Sequence, residues 1–152
     1  MSTALKPRLA DAVKAAMRAK DAARLGTLRF LLAAIKQKEV DERRELDDAE
    51  VTSIIQKQVK QRRESIAAFE KAGRTETAEH EKNELTVLQE FLPQAASADE
   101  IESAVQAAIA TVAQQGATGA PAIGKVMAIL KTSLAGRAEM SAISAQVKAR
   151  LT

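Results

Sequence analysis

The 152-residue chain holds few side chains that could make or break a bond. Cysteine is absent and His80 is the single histidine. A thiolate nucleophile, a structural disulfide and a thiolate metal site are therefore excluded, and His80 has no second nitrogen ligand near it. Set among Glu79, Glu81 and Lys82, His80 reads as a surface residue opposite an apolar stripe. Glu39, Asp41 and Glu42 could supply a proton donor and acceptor, yet helix surfaces assemble such carboxylate sets by chance. The run Gly116-Ala117-Thr118-Gly119-Ala120-Pro121 has the glycines of a phosphate loop but lacks a preceding strand and the Gly-Lys-Ser/Thr ending. Gly124-Lys125 is followed by Val126, so the hydroxyl that would hold magnesium is missing. No catalytic residue, metal ligand or cofactor is assigned.

Basic side chains offer more. The chain carries 23 Lys and Arg against 20 Asp and Glu, a formal charge of +3. Lys57, Lys60, Arg62, Arg63, Lys71 and Arg74 form the densest basic group, with Gln56, Gln58 and Gln61 interspersed. Within it Lys57, Lys60 and Arg63 make a strip that could meet phosphate, although Glu64 and Glu70 nearly balance the charge. Affinity for a duplex comes from phosphate neutralisation and counterion release, which a charge of +3 supplies poorly. Trp and Tyr are absent and Phe occurs three times, so a platform that stacks unpaired bases lacks its material.

The elements that must position these groups are helices. Apolar residues recur at spacings of three and four with no sustained alternation, which predicts an all-α fold. Of the 46% hydrophobic residues 32 are alanine. Larger apolar side chains, worth about 1.5–3 kcal/mol each when fully buried, must therefore be well placed to offset the ordering of the chain. No apolar run approaches the roughly 18 residues of a membrane span, and charges recur every few positions from Met1 to Lys20, which argues against a signal peptide. The expected location is cytoplasmic.

Leu5, Leu9, Val13 and Met17 predict a first helix starting near Pro7. Leu28, Leu31, Leu32 and Ile35 predict a second, about residues 23 to 43, whose start Gly26 weakens by about 1 kcal/mol. Asp47 and Glu50 have capping-box spacing ahead of Val51, Ile54, Ile55, Val59, Ile66 and Phe69, and Gly73 closes that third helix. Thr75 is then expected to cap a fourth helix with Ala78, Leu85, Leu88 and Leu92, stopped by Pro93. Residues 49 to 92 thus read as a long helical hairpin. After Pro93 charge becomes sparse, so a boundary is placed there, giving an N-terminal helical domain at 1–93 and a small three-helix domain at 94–152. Ser97 and Glu100 cap the fifth helix, which closes at Gly116; a short helix follows from Pro121, and a last one follows the Gly136 turn.

Projected at 100° per residue, Arg62 and Gln58 fall inside the apolar stripe of the third helix, and Glu81 inside that of the fourth. A charge on a packed face needs a partner, and an antiparallel hairpin brings Glu81 within about two turns of Arg62. An Arg62–Glu81 ion pair is the expected result, with a structural role.

Leu28-Arg29-Phe30-Leu31-Leu32-Ala33-Ala34-Ile35-Lys36 with Glu39-Val40-Asp41 resembles the YqeY-like (GatB/YqeY) family. Lys60-Gln61-Arg62-Arg63-Glu64-Ser65-Ile66, Ala72-Gly73-Arg74, Glu84-Leu85 and Phe91-Leu92-Pro93 continue the resemblance. Gly124-Lys125-Val126-Met127 and Gly136-Arg137-Ala138-Glu139 resemble the family's C-terminal domain, which is shared with the tail of the GatB component of the aspartyl/glutamyl-tRNA amidotransferase. The resemblance implies an N-terminal helical region and a three-helix tail that helps to grip tRNA. It confers no catalysis, since the amidase and acyl-activating parts of that enzyme lie elsewhere. Matched to the tail, the candidates for tRNA contact are Lys125, Lys131, Arg137 and Lys148, and Glu139 stands where Asp is more usual, keeping a carboxylate at a helix start.

The leading expectation is a noncatalytic protein binding tRNA or a tRNA-handling complex through its C-terminal domain. Two others compete with it. The 49 to 92 hairpin could be a docking surface for a protein partner with no nucleic-acid role, or the family label of a carbon-nitrogen ligase with glutamine as amide donor could be literal.

Overall fold

Three short polar side chains set the starts of helices, Asp47 and Ser97 as their spacing predicts and Asp21 unannounced. Asp21 Oδ1 accepts from the Arg24 amide at 3.0 Å, and Asp47 Oδ1 from the Glu50 amide at 2.9 Å. Ser97 and Glu100 close a reciprocal capping box, with bonds of 3.1 and 3.2 Å that satisfy two otherwise orphaned amides. In a computed structural model describing residues 4–152, the helices are α1 Leu5–Arg18, α2 Ala22–Glu42, α3 Asp48–Lys71, α4 Thr75–Gln89, α5 Ala98–Gln114, α6 Ile123–Ser133 and α7 Met140–Leu151. A 3₁₀ turn, Ala120–Ala122, precedes α6, so the helix expected from Pro121 starts with a tighter turn. The protein is all-α, with no strand among the described residues. The chain divides into two compact units, Met1–Leu92 and Pro93–Thr152.

In the first unit α3 and α4 form the predicted hairpin, and α1 and α2 pack beside it. Leu9, Leu28, Leu31, Val51, Ile55 and Leu88 are its fully buried side chains. The α1 ladder is shorter than expected: Leu5 and Leu9 are buried, but Met17 is 52% exposed and Ala16 takes the inner position. A step of four residues rotates about 40° around a helix, so three such steps carry Met17 off the face that Leu5 defines. Ala16, seven residues after Leu9, stays on it.

Two carboxylates hold the start of α1. Ala4 provides no side-chain cap, and the Leu5 amide donates instead to Asp48 Oδ1 of α3 at 3.0 Å. Glu39 Oε2 of α2 accepts from both Lys6 Nζ and the Leu46 amide at 2.8 Å. Thr75 does not cap α4, contrary to expectation; Arg74 occupies that position without a side-chain bond. The cause is the preceding turn. Gly73 takes φ +74°, the Arg74 amide closes back on the Phe69 carbonyl at 2.8 Å, and the Arg74 carbonyl already accepts from Ala78 at 3.0 Å.

The second unit is built from smaller side chains: Val105, Ala108 and Val112 of α5 meet Val126 and Leu130 of α6 and Ile143 and Val147 of α7. Leu134 completes this core. Gly116 leaves α5 at φ +89°, a conformation that favours glycine.

Leu88→Ala should destabilise the first unit by about 2–5 kcal/mol, since it opens a cavity in the core, whereas Met17→Ala should change it by less than about 0.5 kcal/mol. Urea unfolding followed by circular dichroism checks both.

Candidate functional site

The α3 helix carries Gln58, Gln61, Arg62 and Ser65 toward a cleft of about 440 Å³ whose other walls are Gly26, Thr27 and Phe30 of α2 and Glu81 and Glu84 of α4. Arg62 Nη1 donates to Glu81 Oε2 at 3.2 Å, the pairing that the helical projection anticipates. It also meets Glu84 Oε2, which sequence reasoning missed although Glu84 lies one turn beyond Glu81. The Arg62 guanidinium carbon lies 5.6 Å from the centre of the Phe30 ring, so one cation touches both neighbouring helices. Side-chain exposures of 17% for Arg62, 19% for Glu81 and 17% for Glu84 put this triad well out of the solvent screening that weakens surface pairs. His80, exposed as expected, places Nε2 3.0 Å from Glu84 Oε1.

Gln58 is 7% exposed, and its Oε1 has no hydrogen-bond partner. An amide oxygen in that position loses its water without recovering a bond, a cost of about 1–3 kcal/mol. Thr27, also buried, satisfies its hydroxyl on the Ala23 carbonyl at 3.1 Å.

The basic strip lies elsewhere on α3. Lys57, Lys60 and Arg63 are exposed and three residues apart, so they neighbour one another on the helix surface. Ion pairs among the described residues involve none of them, whereas Lys82 is held by Glu70 at 2.7 Å and Glu79 at 3.1 Å. Arg74 lies over the Phe69 ring at 5.7 Å.

The carboxylate set at the end of α2 is committed to structure. Glu39 binds Lys6 and the Leu46 amide, Asp41 accepts from Gln37 at 2.9 Å, and Glu42 pairs with Arg44 at 2.5 Å. The hydrogen bond from Lys6, and then that from the Leu46 amide, holds the Glu39 carboxyl below the usual range, and the same contact raises Lys6.

In the second unit Lys125 and Lys131 of α6 and Lys148 of α7 are exposed, and ion pairs among the described residues involve none of the three. Arg137 is different from the free cation its sequence position implies. Its Nη2 donates to Glu100 Oε2 at 2.6 Å, its Nε to the Gln94 carbonyl at 3.0 Å, and its own carbonyl accepts from Ala96 at 2.7 Å. It is a strut between the turn before α7 and the start of α5. Arg150, absent from the sequence-based set, pairs with Glu102, which also accepts from Gln146 at 3.0 Å. Arg150 foremost holds the Glu102 carboxyl below its usual range. Glu139 stands at the start of α7 but makes no capping bond; it accepts from the Ser141 hydroxyl at 3.0 Å instead.

Among the described residues no group of His, Asp and Glu could hold a metal ion, and no helix is long and apolar enough to cross a membrane.

The family model of the Yqey-like proteins matches residues 6–151. The chain belongs to the YqeY-like family. Its relatives include proteins named "Altered inheritance of mitochondria protein 41, mitochondrial". The one from Eremothecium gossypii is 41% identical over 98 residues, covering 62% of this chain and 54% of the relative. The one from Kluyveromyces lactis is 38% identical over 97 residues, covering 61% and 52%. In Pyrenophora tritici-repentis the match is 32% over 134 residues, covering 87% and 72%. The chain thus spans about half the length of the first two of these YqeY-like relatives.

Arg62→Ala should destabilise the first unit by about 1–4 kcal/mol, because it leaves two carboxylates together in a half-buried setting. Glu81→Gln should cost less, as Glu84 still holds the guanidinium; urea midpoints of the two variants give the comparison. Acid should also weaken the first unit. With Glu39 depressed in the folded state, its contribution is complete above the unfolded value of about 4.3 and is lost as pH falls through the lower folded value. Glu39→Gln should therefore flatten the dependence of urea midpoint on pH below about 5.

Proposed function

We propose that this YqeY-like protein is a noncatalytic RNA-binding accessory protein that grips tRNA phosphates through Lys125, Lys131 and Lys148 of its second unit. Lys57, Lys60 and Arg63 of α3 provide a second contact strip. The observation that carries this reading is how the cations are divided. In the second unit both arginines are engaged by Glu100 and Glu102, while the three lysines are left exposed and without an ion pair among the described residues. Ammonium groups on helices meet phosphate as point charges and read no bases, which suits a chain with three phenylalanines and no Trp or Tyr. The likeness of Gly124-Lys125-Val126-Met127 to the amidotransferase tail supports the same reading. Arg137 leaves the set of phosphate contacts and becomes a positioning residue.

The test is a salt series of tRNA binding by the full chain. Each phosphate neutralised contributes about 0.7–0.9 to the slope of log affinity against log salt, so replacing Lys125, Lys131 and Lys148 together by Ala should reduce the slope by about 2–3. Replacing Lys57, Lys60 and Arg63 should reduce it further, whereas Arg137→Ala should act through the thermal stability of the second unit. A triple variant that binds tRNA with an unchanged slope rejects the assignment. Absence of tRNA binding at any salt favours the hairpin as a protein-docking surface.

A further inference from the structure

The α2–α3–α4 cleft combines two features that cost the fold stability and that packing does not explain. Gln58 is buried to 7% exposure with its Oε1 unpartnered, although leucine would fill the same place without the loss. Gly26 lies inside α2, where glycine is unfavourable, and a Cβ there would meet no atom within 4 Å. Close packing therefore does not require glycine. Both residues line the same cavity, and unfavourable local choices that converge on one place mark a functional site.

We propose that this cleft binds a guanidinium group. Its charge has the right sign, since Glu81 and Glu84 outnumber Arg62 and leave the walls one charge negative. Its free hydrogen-bonding groups also fit. Gln58 Oε1, enclosed as the amide stands, exchanges places with Nε2 by a half-turn of χ3 and then needs a donor from the cleft. Glu81 uses Oε2 on Arg62 while its Oε1 takes no bond among the described residues. A planar fork of several N–H groups serves an amide and a carboxylate oxygen together, which a compact, strongly hydrated ammonium does less well. Phe30, 61% exposed, adds an aromatic surface that already accepts one guanidinium, that of Arg62. The volume of about 440 Å³ is in the range of small-ligand sites. A free small molecule and an arginine side chain of a polypeptide carry the same group.

Titration of the full chain with Nα-acetylarginine amide, followed by backbone amide NMR, tests the site. Saturable shifts centred on Gln58, Gln61 and Ser65 are expected. The lysine and glutamine analogues should bind at least about tenfold more weakly. Gln58→Leu should abolish binding while raising Tm, because an unsatisfied amide is removed, a pairing of effects that a merely structural residue does not give. Gly26→Leu should block the cavity without removing any polar group. Tighter binding of a Gly-Gly-Arg-Gly-Gly peptide than of the amide supports a polypeptide source, and equal binding supports a free ligand. No saturable shift, equal binding of the glutamine analogue, or undiminished binding by both variants overturns the proposal.

Discussion

A guanidinium placed on the packed face of a helix must be met by charge from its neighbours, and much of the first unit follows from that requirement. Arg62 projects from α3 and is answered by Glu81 and Glu84 of α4 and by the ring of Phe30 from α2. An aliphatic residue there would pack without orienting anything. The triad instead makes one relative placement of α3 and α4 favourable, because sliding either helix by a turn separates the charges by about 5.4 Å. The same triad keeps polar walls around a cleft that apolar side chains would otherwise close.

Directional polar contacts matter more here because the apolar supply is thin. With 32 alanines among the hydrophobic residues, helix faces are shallow, and burial of methyl groups specifies register weakly. Long-range hydrogen bonds fill that role. Asp48 and Glu39 fix where α1 begins, although α1 has no cap of its own. In the second unit Arg137 ties the turn before α7 to the start of α5, and Arg150 and Gln146 converge on Glu102. In each of these contacts geometry counts for more than the modest net energy.

What is legible in the sequence follows the range of the forces. Helix class, the capping residues Asp47 and Ser97 and the Gly73 turn are local matters, and the residues state them directly. The Arg62–Glu81 contact is legible because hairpin geometry constrains a polar residue lying in an apolar stripe. Glu84 is not, because several carboxylates of α4 lie within reach and spacing alone does not choose among them. The end of α2 carries no glycine signal; Arg43 takes the left-handed conformation itself, at φ 56°. The engagement of Arg137 is hidden for a related reason. Its partners, Gln94 and Glu100, lie 43 and 37 residues away, and no local pattern distinguishes an arginine engaged at that distance from a free one. The cleft is invisible as a cavity, although Gly26 and Gln58 are both conspicuous as residues out of place.

The arginines and lysines of the second unit divide along chemical lines. There Arg137 and Arg150 are engaged by carboxylates, while Lys125, Lys131 and Lys148 are exposed and unpaired among the described residues. A rigid fork with several donors holds two partners in a fixed geometry, so it suits internal struts; a hydrated ammonium on a flexible stem suits a surface that meets charge without demanding orientation. The first unit mixes the two roles: Lys6 and Lys82 are held by carboxylates, and Arg63 is exposed in line with Lys57 and Lys60. A nearly neutral chain can keep local positive strips, because the acidic residues that balance the total are partly occupied with arginines and with Lys6 and Lys82. Net charge is thus a poor guide to what this surface offers. The relevant quantity is the charge left over once the internal struts have been subtracted.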